Sequence, residues 1–297
     1  LLWYRLRFRW SGGESSLTEG GRPLAAFRAD EPAQDAHVAR GRAPALLEWL
    51  RRRASARPEG KTLLKVGIDI GGTKIAGGVV DAEGRIVEKL RVDTPVDTAS
   101  LADAVVDMAR HLGQSHDVSA VGVAAAGFID RNRELVLHAP NIAWRNEPLK
   151  ATLASRIDVP VTIENDANAA GWGEFRFGAG RDVENMTMLT MGTGVGGAVV
   201  VDGALLMGGH GIAGELGHIR FIRDGRPCGC GQKGCLEQYA SGRALQREAE
   251  EIADDDAGIG AGLAALRLET GALKGPAISR LILAGDPGAI EALRRVA

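Results

Sequence analysis

The sequence predicts an α/β protein assembled from two related halves, and three observations carry that expectation. A short apolar strand runs into a glycine–threonine loop at Gly71-Gly72-Thr73-Lys74, and the same thing happens at Gly192-Thr193-Gly194-Val195-Gly196-Gly197. Each loop is followed by a second strand and then an acidic–glycine turn, Asp81-Ala82-Glu83-Gly84 in one case and Asp202-Gly203 in the other. Such a coarse duplication points to two lobes facing a cleft, and between these units the apolar residues switch to helical spacing. The first lobe is expected over residues 62–184 and the second over 185–297.

Residues 1–61 have a different texture. They hold Trp3, Trp10 and Trp49, are rich in arginine, and contain no lysine before Lys61. One short helical pattern lies around Ala45–Arg53, while Gly12, Gly13, Gly20, Gly21, Pro23, Pro32 and Pro44 break up the remainder. This composition reads as a disordered extension or translated upstream sequence in preference to a basic arm for nucleic acid.

From Leu63 the elements follow in order. Leu63–Ile70 alternates as a strand with Val66, Ile68 and Ile70 on one face, and strands at Ile75–Val80 and Arg85–Val92 complete an antiparallel meander. Ser100–Gln114 carries Leu101, Val105, Met108 and Leu112 along one helical stripe. A strand at Val118–Ala124, a helix at Pro148–Ile157 and a strand at Val159–Glu164 follow, and a helix opens at Asp166 and ends near Gly178. The second unit has strands at Asn185–Met191 and Ala198–Val201. Helices are then expected at Ala244–Ile252, Gly260–Thr270, Ala277–Leu283 and Pro287–Val296.

Composition narrows the function classes. At 297 residues with 45% apolar content the chain can bury a substantial core. A net charge of −2 and a pI near 6.4 argue against nucleic acid as the main partner. No apolar run is long enough to span a bilayer and no secretory leader pattern opens the chain, so a cytoplasmic protein is expected.

All three cysteines, Cys228, Cys230 and Cys235, fall within eight residues, with His218 just upstream. Three thiolates and an imidazole form one of the closed tetrahedral zinc sets. Glycines at 229, 231 and 234 let the backbone fold tightly enough to aim three sulfurs at one point. A disulfide would leave one thiol over, and Cys-x-Cys closes a very short ring. Three neighbouring buried cysteines are the plain alternative, and zinc is the better reading. Glu215 and Glu237 flank the cluster, and a structural zinc needs neither. Two acids beside a metal-anchored loop suit the hydroxyls of a polar ligand, although an isolated glutamate is more often merely solvated.

A pair of glycine loops, one from each half, can clamp a polyphosphate, because glycine lets backbone N–H groups approach phosphate oxygens. Thr73 and Thr193 add hydroxyl donors. Neither loop has the spacing of a P-loop and neither opens a helix as a dinucleotide loop does. Asp69 precedes the first loop, where a carboxylate beside bound phosphates can hold Mg²⁺ through water. In Glu164-Asn165-Asp166-Ala167-Asn168 a strand ends and a helix begins, and Asp166 is placed to cap that helix. A carboxylate at that junction is also where an α/β enzyme keeps a base, and phosphoryl transfer to an alcohol needs one.

Asp69-Ile-Gly-Gly-Thr-Lys74, Glu164-Asn-Asp-Ala-Asn-Ala-Ala170, Gly192-Thr-Gly-Val-Gly-Gly197, Gly214-Glu-Leu-Gly-His218 and the Cys228–Glu237 run, in this order, resemble the ROK family of bacterial sugar kinases and repressors over about Leu63–Ala297. The resemblance is closest to the ATP-dependent glucokinases of high-GC Gram-positive bacteria. It implies an actin/hexokinase-like (ribonuclease H-like) two-lobed fold with a Cys3His zinc loop, and a homo-oligomer when full length. By resemblance Asp166 would be the base on the sugar 6-hydroxyl. Asn165, Glu215, His218 and Glu237 would hold ring hydroxyls, with Gly127 and Asn141 on the sugar side of the cleft. Gly71, Gly72, Thr73, Lys74, Thr193 and Gly194 would line the ATP phosphates, with Asp69 nearby. His218 would give one ring nitrogen to zinc and the other to sugar.

Family members start a few residues before the first Gly-Gly-Thr and run past this C-terminus with another strand, a glycine-rich loop and a closing helix. The second lobe is therefore expected to be incomplete, and such a chain a poor kinase. Leu281–Gly288 reads as one helix ending and another starting. An N-acetylhexosamine kinase is the runner-up within the class. A sugar-responsive repressor would need a helix-turn-helix that residues 1–61 do not offer. Polyphosphate as donor fits the first loop less well than ATP does.

Overall fold

A computed structural model describes residues 63–139, 142, 144–254 and 258–296, so the expectations for residues 1–61 and for Asn141 lie outside the described residues. Strands β1 (Leu64–Ile70), β2 (Lys74–Val80) and β3 (Ile86–Asp93) form the antiparallel meander, with Ile70 opposite Ile75 at the first hairpin. β4 (Val118–Ala125) pairs in parallel with β1, and β8 (Val161–Asn165) in parallel with β4, giving the sheet order β3-β2-β1-β4-β8.

Helix α1 (Thr98–Gln114) opens at Asp97, whose carboxylate accepts the Ser100 N–H at 2.8 Å. Its stripe of Leu101, Val105, Met108 and Leu112 is buried, packed into one core with Val66, Ile68, Ile70, Ile75 and Val79. The period-2 pattern of the strand and the 3.6-period stripe of the helix thus cover one another, which removes both apolar faces from water. Helix α2 (Leu149–Ala154) is shorter than expected and buries Leu149 and Leu153 in the same core.

Between β4 and α2 the chain makes a small sheet of β5 (Phe128–Ile129), β6 (Val136–His138) and β7 (Arg145–Glu147), which the sequence pattern did not reveal. Strands of two or three residues carry no readable alternation. Helix α3 (Asp166–Phe177) leaves the end of β8 directly. Its cap is Asn165 and not Asp166: the Asn165 side chain accepts the Asn168 N–H at 2.9 Å, and Asp166 is the first helical residue. The expectation that Asp166 caps the helix is corrected here. An Asn at the strand's last position has the extended backbone a cap requires, so the cap falls one residue earlier.

The second unit forms a sheet in the order β11-β10-β9, from β9 (Met186–Met191), β10 (Val195–Val201) and β11 (Ala204–Leu205). Strand β10 begins at Val195, three residues before the expected start, so the second loop shrinks to Gly192–Gly194. β9 is an edge among the described residues, with Leu189 and Met191 exposed. A 3₁₀ turn over Leu216–His218 and a short helix α4 (Glu237–Ala240) flank the cysteine loop. Helices α5 (Gly242–Ala253), α6 (Ala261–Thr270), α7 (Gly275–Leu283) and α8 (Pro287–Val296) follow the expected order. They enclose a second core around Ile252, Leu263, Leu273 and Ile278. No helix among the described residues is long and apolar enough to cross a membrane.

Candidate active site and metal cluster

His218, Cys228, Cys230 and Cys235 come together as the sequence predicts, with one donor atom of each within 4.8 Å of all the others. Cys230 Sγ and Cys235 Sγ are 3.6 Å apart. A disulfide would need about 2.05 Å, whereas two sulfurs at about 2.3 Å from a tetrahedral zinc sit a little under 4 Å apart. Cys228 Sγ lies 3.5 Å from His218 Nδ1, which leaves Nε2 free to face elsewhere. Desolvation and the two neighbouring thiols push the Cys235 thiol up to about 12, a crowding of sulfurs that a bound cation would relieve. The donor set and its spacing fit zinc.

Backbone bonds hold the loop to this shape. The Gly234 carbonyl accepts the N–H groups of Phe221 and Ile222 at 2.7 and 3.1 Å, and Gly234 N–H donates to Arg226 O at 2.8 Å. Gly234 has φ of 76°, and a Cβ there would fall 1.6 Å from the Ile222 carbonyl oxygen, so no other residue fits.

Past the last cysteine the chain runs into the second glycine loop. Glu237 Oε2 accepts the Val195 N–H at 3.1 Å, Gly242 N–H donates to Gly192 O at 2.8 Å, and Arg243 N–H to Thr193 O at 3.3 Å. The first loop has separate supports: the Thr94 hydroxyl donates to Gly71 O at 2.7 Å and Thr94 N–H to Thr73 O at 3.1 Å. Gly72, Thr73 and Thr193 are exposed at the two loop tips. Lys74 Nζ is paired with the Asp93 carboxylate.

Asp166 stands at the β8–α3 junction, where its charge reaches Asp69 and Glu215. Asp166 reaches solvent, yet desolvation by the protein around it still raises its carboxyl above the usual range. Asp69 is also raised, first by desolvation and then by the charge of Asp166. Glu215 is pushed up to about 7 by desolvation, then by the charges of Asp166 and Glu237. The charge of one carboxylate, Asp166, therefore acts on both the acid that precedes the first loop and the acid beside the cysteine cluster. Several neighbouring carboxyls raised by desolvation and by one another's charge are a mark of a functional site. Asn165 Nδ2 donates to Asp166 Oδ1 at 3.0 Å and to Gly127 O at 3.1 Å, which brings Gly127 beside Asn165.

Sequence reasoning missed Glu164, Asn168 and Arg133. Glu164 Oε1 accepts Asn165 N–H at 3.0 Å and Asn168 Nδ2 at 3.2 Å, and its Oε2 accepts Arg133 Nε at 2.6 Å. Glu164 was legible only as part of a motif, and nothing in the spacing singles out Arg133, thirty-one residues away.

Comparison with known proteins finds a family and relatives that the chain resembles. The model of the ROK family matches residues 65–297. The glucokinase of Streptomyces coelicolor is 45% identical over 235 residues, covering 79% of this chain and 74% of that one. An N-acetylmannosamine kinase of Vibrio cholerae is 39% identical over 186 residues, covering 62% of this chain and 63% of that one. Among solved structures, a ROK family glucokinase from Streptomyces griseus in complex with glucose and AMPPNP superposes with a TM-score of 0.71. It is 47% identical, covering 78% of this chain and 75% of that one.

Proposed function

This chain belongs to the ROK family, and we propose that it is an ATP-dependent glucokinase in which Asp166 takes the proton of the glucose 6-hydroxyl. The likeness to glucokinases, higher and longer than that to the N-acetylmannosamine kinase, favours glucose as acceptor and ATP as donor. The observation that carries the catalytic reading is the position of the Asp166 carboxylate. It is held by Asn165 and its charge acts on both Asp69 and Glu215.

The γ-phosphoryl group must approach from the glycine loops and the sugar from the acid-lined side. Backbone N–H groups around Gly71–Lys74 and Gly192–Gly194, with the Thr73 and Thr193 hydroxyls, would cradle the phosphates, and Asp69 would steady a water-bound Mg²⁺. Asn165, Glu215, His218 and Glu237 would receive the ring hydroxyls, with Asn141 as the expected further contact. A raised carboxyl at Asp166 suits a base that must accept a proton late in a loose transition state. His218, Cys228, Cys230 and Cys235 would hold zinc, which would fix the His218 ring and brace the segment flanked by Glu215 and Glu237. Free cysteines that such a metal would keep reduced suit the cytoplasm.

The test measures ATP-dependent formation of glucose 6-phosphate, with N-acetylmannosamine, N-acetylglucosamine and polyphosphate as competitors. Asp166→Asn should cut turnover on the order of a hundredfold with little change in glucose affinity. Since Asn165 and not Asp166 caps α3, this substitution leaves the cap intact. Turnover surviving within a few fold would remove the base role, and preferred turnover of an N-acetylhexosamine would reassign the sugar.

A further inference from the structure

Arg133 touches neither glycine loop and carries none of the proposed sugar contacts, yet it stands at the far end of a polar chain that finishes on Asp166. It lies in the turn between β5 and β6, with its backbone in the left-handed region at φ of 56°. Asp130 sets that turn: its carboxylate accepts the N–H groups of Asn132 at 3.0 Å, Glu134 at 2.7 Å and Leu135 at 2.6 Å. A left-handed non-glycine residue costs conformational free energy, so the surrounding contacts must over-determine it. Here they aim the Arg133 side chain back across the hairpin to β8.

From there each contact leads to the next. Arg133 Nε donates to Glu164 Oε2 at 2.6 Å, while the other Glu164 oxygen receives the Asn165 N–H and the Asn168 amide. The Asn165 side chain then has every hydrogen-bonding group engaged. Its Oδ1 caps α3 through Asn168 N–H, and its Nδ2 is divided between Gly127 O and Asp166 Oδ1. The Glu164 side chain is only 13% exposed, so its charge depends on a partner and not on water. Arg133 is the ion-pair partner recorded for it among the described residues, and the remaining guanidinium contact is Met207 Sδ at 3.6 Å.

We propose that Arg133 is a positioning residue for phosphoryl transfer, acting through Glu164 and Asn165 to fix the Asp166 carboxylate. The proposal rests on the reading of Asp166 as the base. A plain tie between the hairpin and β8 would also use an Arg–Glu pair. It would not, however, require Glu164 to commit its second oxygen to Asn165, which caps α3 and holds the base, and to Asn168, whose N–H that cap engages. With Arg133 gone, Glu164 is a largely enclosed carboxylate without a counter-charge. It would turn toward water and release the Asn165 N–H, letting Asp166 drift from the acceptor oxygen. Catalysis is sensitive to small displacements of this kind.

The experiment compares Arg133→Ala, Arg133→Lys, the double variant Arg133→Ala/Glu164→Gln, and Asp166→Asn, each in the whole chain. Steady-state kinetics are read well below the thermal midpoint of every protein. Arg133→Ala should lower kcat about tenfold or more while leaving KM for ATP unchanged. The double variant should recover to within about threefold of wild type, because Gln keeps an acceptor for Asn165 without an unpaired charge. Arg133→Lys should fall between the two, since Lys restores the charge but not the planar fork. If Arg133→Ala lowers the thermal midpoint but leaves kcat and both KM values intact, Arg133 is structural and the proposal fails. It also fails if the double variant is no better than the single. Should Arg133→Ala not fold, Arg133→Lys and the double variant carry the same readouts. Asp166→Asn separates the two readings: an active Asp166→Asn removes the base assignment, whereas a dead Asp166→Asn beside a silent Arg133→Ala removes only this proposal.

Discussion

In the first glycine hairpin the paired residues Ile70 and Ile75 bracket the loop from Gly71 to Lys74, and in the second Met191 and Val195 bracket the shorter loop from Gly192 to Gly194. Both loops close on themselves through one backbone bond, Gly71 N–H to Lys74 O at 3.0 Å and Gly192 N–H to Gly194 O at 2.9 Å. What surrounds them differs. The first hairpin sits inside a five-stranded sheet over the larger core, and its outside support comes from Thr94, just past β3 of that same sheet. The second belongs to a three-stranded sheet whose β9 edge exposes Leu189 and Met191, and its outside support comes from Glu237, Gly242 and Arg243, just past the cysteine loop. One repeated sequence pattern has been fixed in space by its own sheet in one half and by a metal-type loop in the other. The position of the second loop should therefore depend on the metal, and that of the first should not.

Metal removal tests this difference with the largest effect. Chelation, or Cys235→Ser, should abolish glucose phosphorylation, because binding free energy at a structural site is folding free energy. Amide exchange should quicken at Gly192–Val195 and at Glu237–Arg243, while Ile70–Ile75 keeps its protection. Equal loosening of both hairpins, or of neither, would break the comparison. Finding no zinc in carefully purified protein would break it sooner.

A gentler probe acts on the second loop alone. A Cβ added at Gly194 would lie 2.2 Å from Glu237 Oε2, so Gly194→Ala must push the carboxylate off the Val195 N–H. The displaced atoms end a flexible side chain, so the fold should survive. Because Glu237 is also a proposed sugar contact, KM for both glucose and ATP should rise, by about five- to tenfold. A rise in one KM alone would show that Glu237 does not connect the two substrates. The counterpart in the first hairpin is Thr94→Val, which deletes the hydroxyl bond to Gly71 O. One such bond contributes about 1 kcal/mol, so KM for ATP should rise only a few fold and KM for glucose should hold.

The halves also differ in how much could be read beforehand. β1, β2, α1 and the last four helices were legible because each has a long apolar period with turn or cap signals at its ends. The cysteine cluster was legible because its ligands are nearly contiguous. The small β5–β6–β7 sheet was not, because its strands are too short for a period to show. The Asp130 turn and Arg133 belong to that hidden sheet, so the support behind Asp166 was hidden with them. The cap of α3 was misplaced by one residue because Asn165 and Asp166 are both good cap residues, and only the backbone at the strand end decides between them. Glu237 was read as a sugar contact from its closeness to the cysteines. Its bond to Val195 spans forty-two residues and has no local signature.

The smallest expected effect concerns charge, and it sharpens the comparison acid by acid. Each hairpin has its own carboxylate neighbourhood: Asp69 before the first loop, and Glu215 with Glu237 beside the second. Both Asp69 and Glu215 are raised by desolvation and by Asp166, but Glu215 also feels Glu237 and reaches about 7. An acid raised in the folded state holds a proton there that the unfolded chain has already lost. Between the ordinary value of 4.5 and about 7 the native state therefore binds more protons than the unfolded one, and stability falls as pH rises through that window. Loaded zinc would not reverse the sign, since three thiolates outweigh one dication and leave the cluster net negative. Glu215→Gln removes this repulsion without changing shape. Without glucose, it should match the wild-type thermal midpoint near pH 5 and exceed it by on the order of a few degrees at pH 8. Asp69→Asn should show the same sign with a smaller amplitude, because it lacks the second acid. Equal amplitudes would mean that Glu237, drawn onto the Val195 N–H, no longer presses on Glu215. The second loop would then be as self-contained electrostatically as the first.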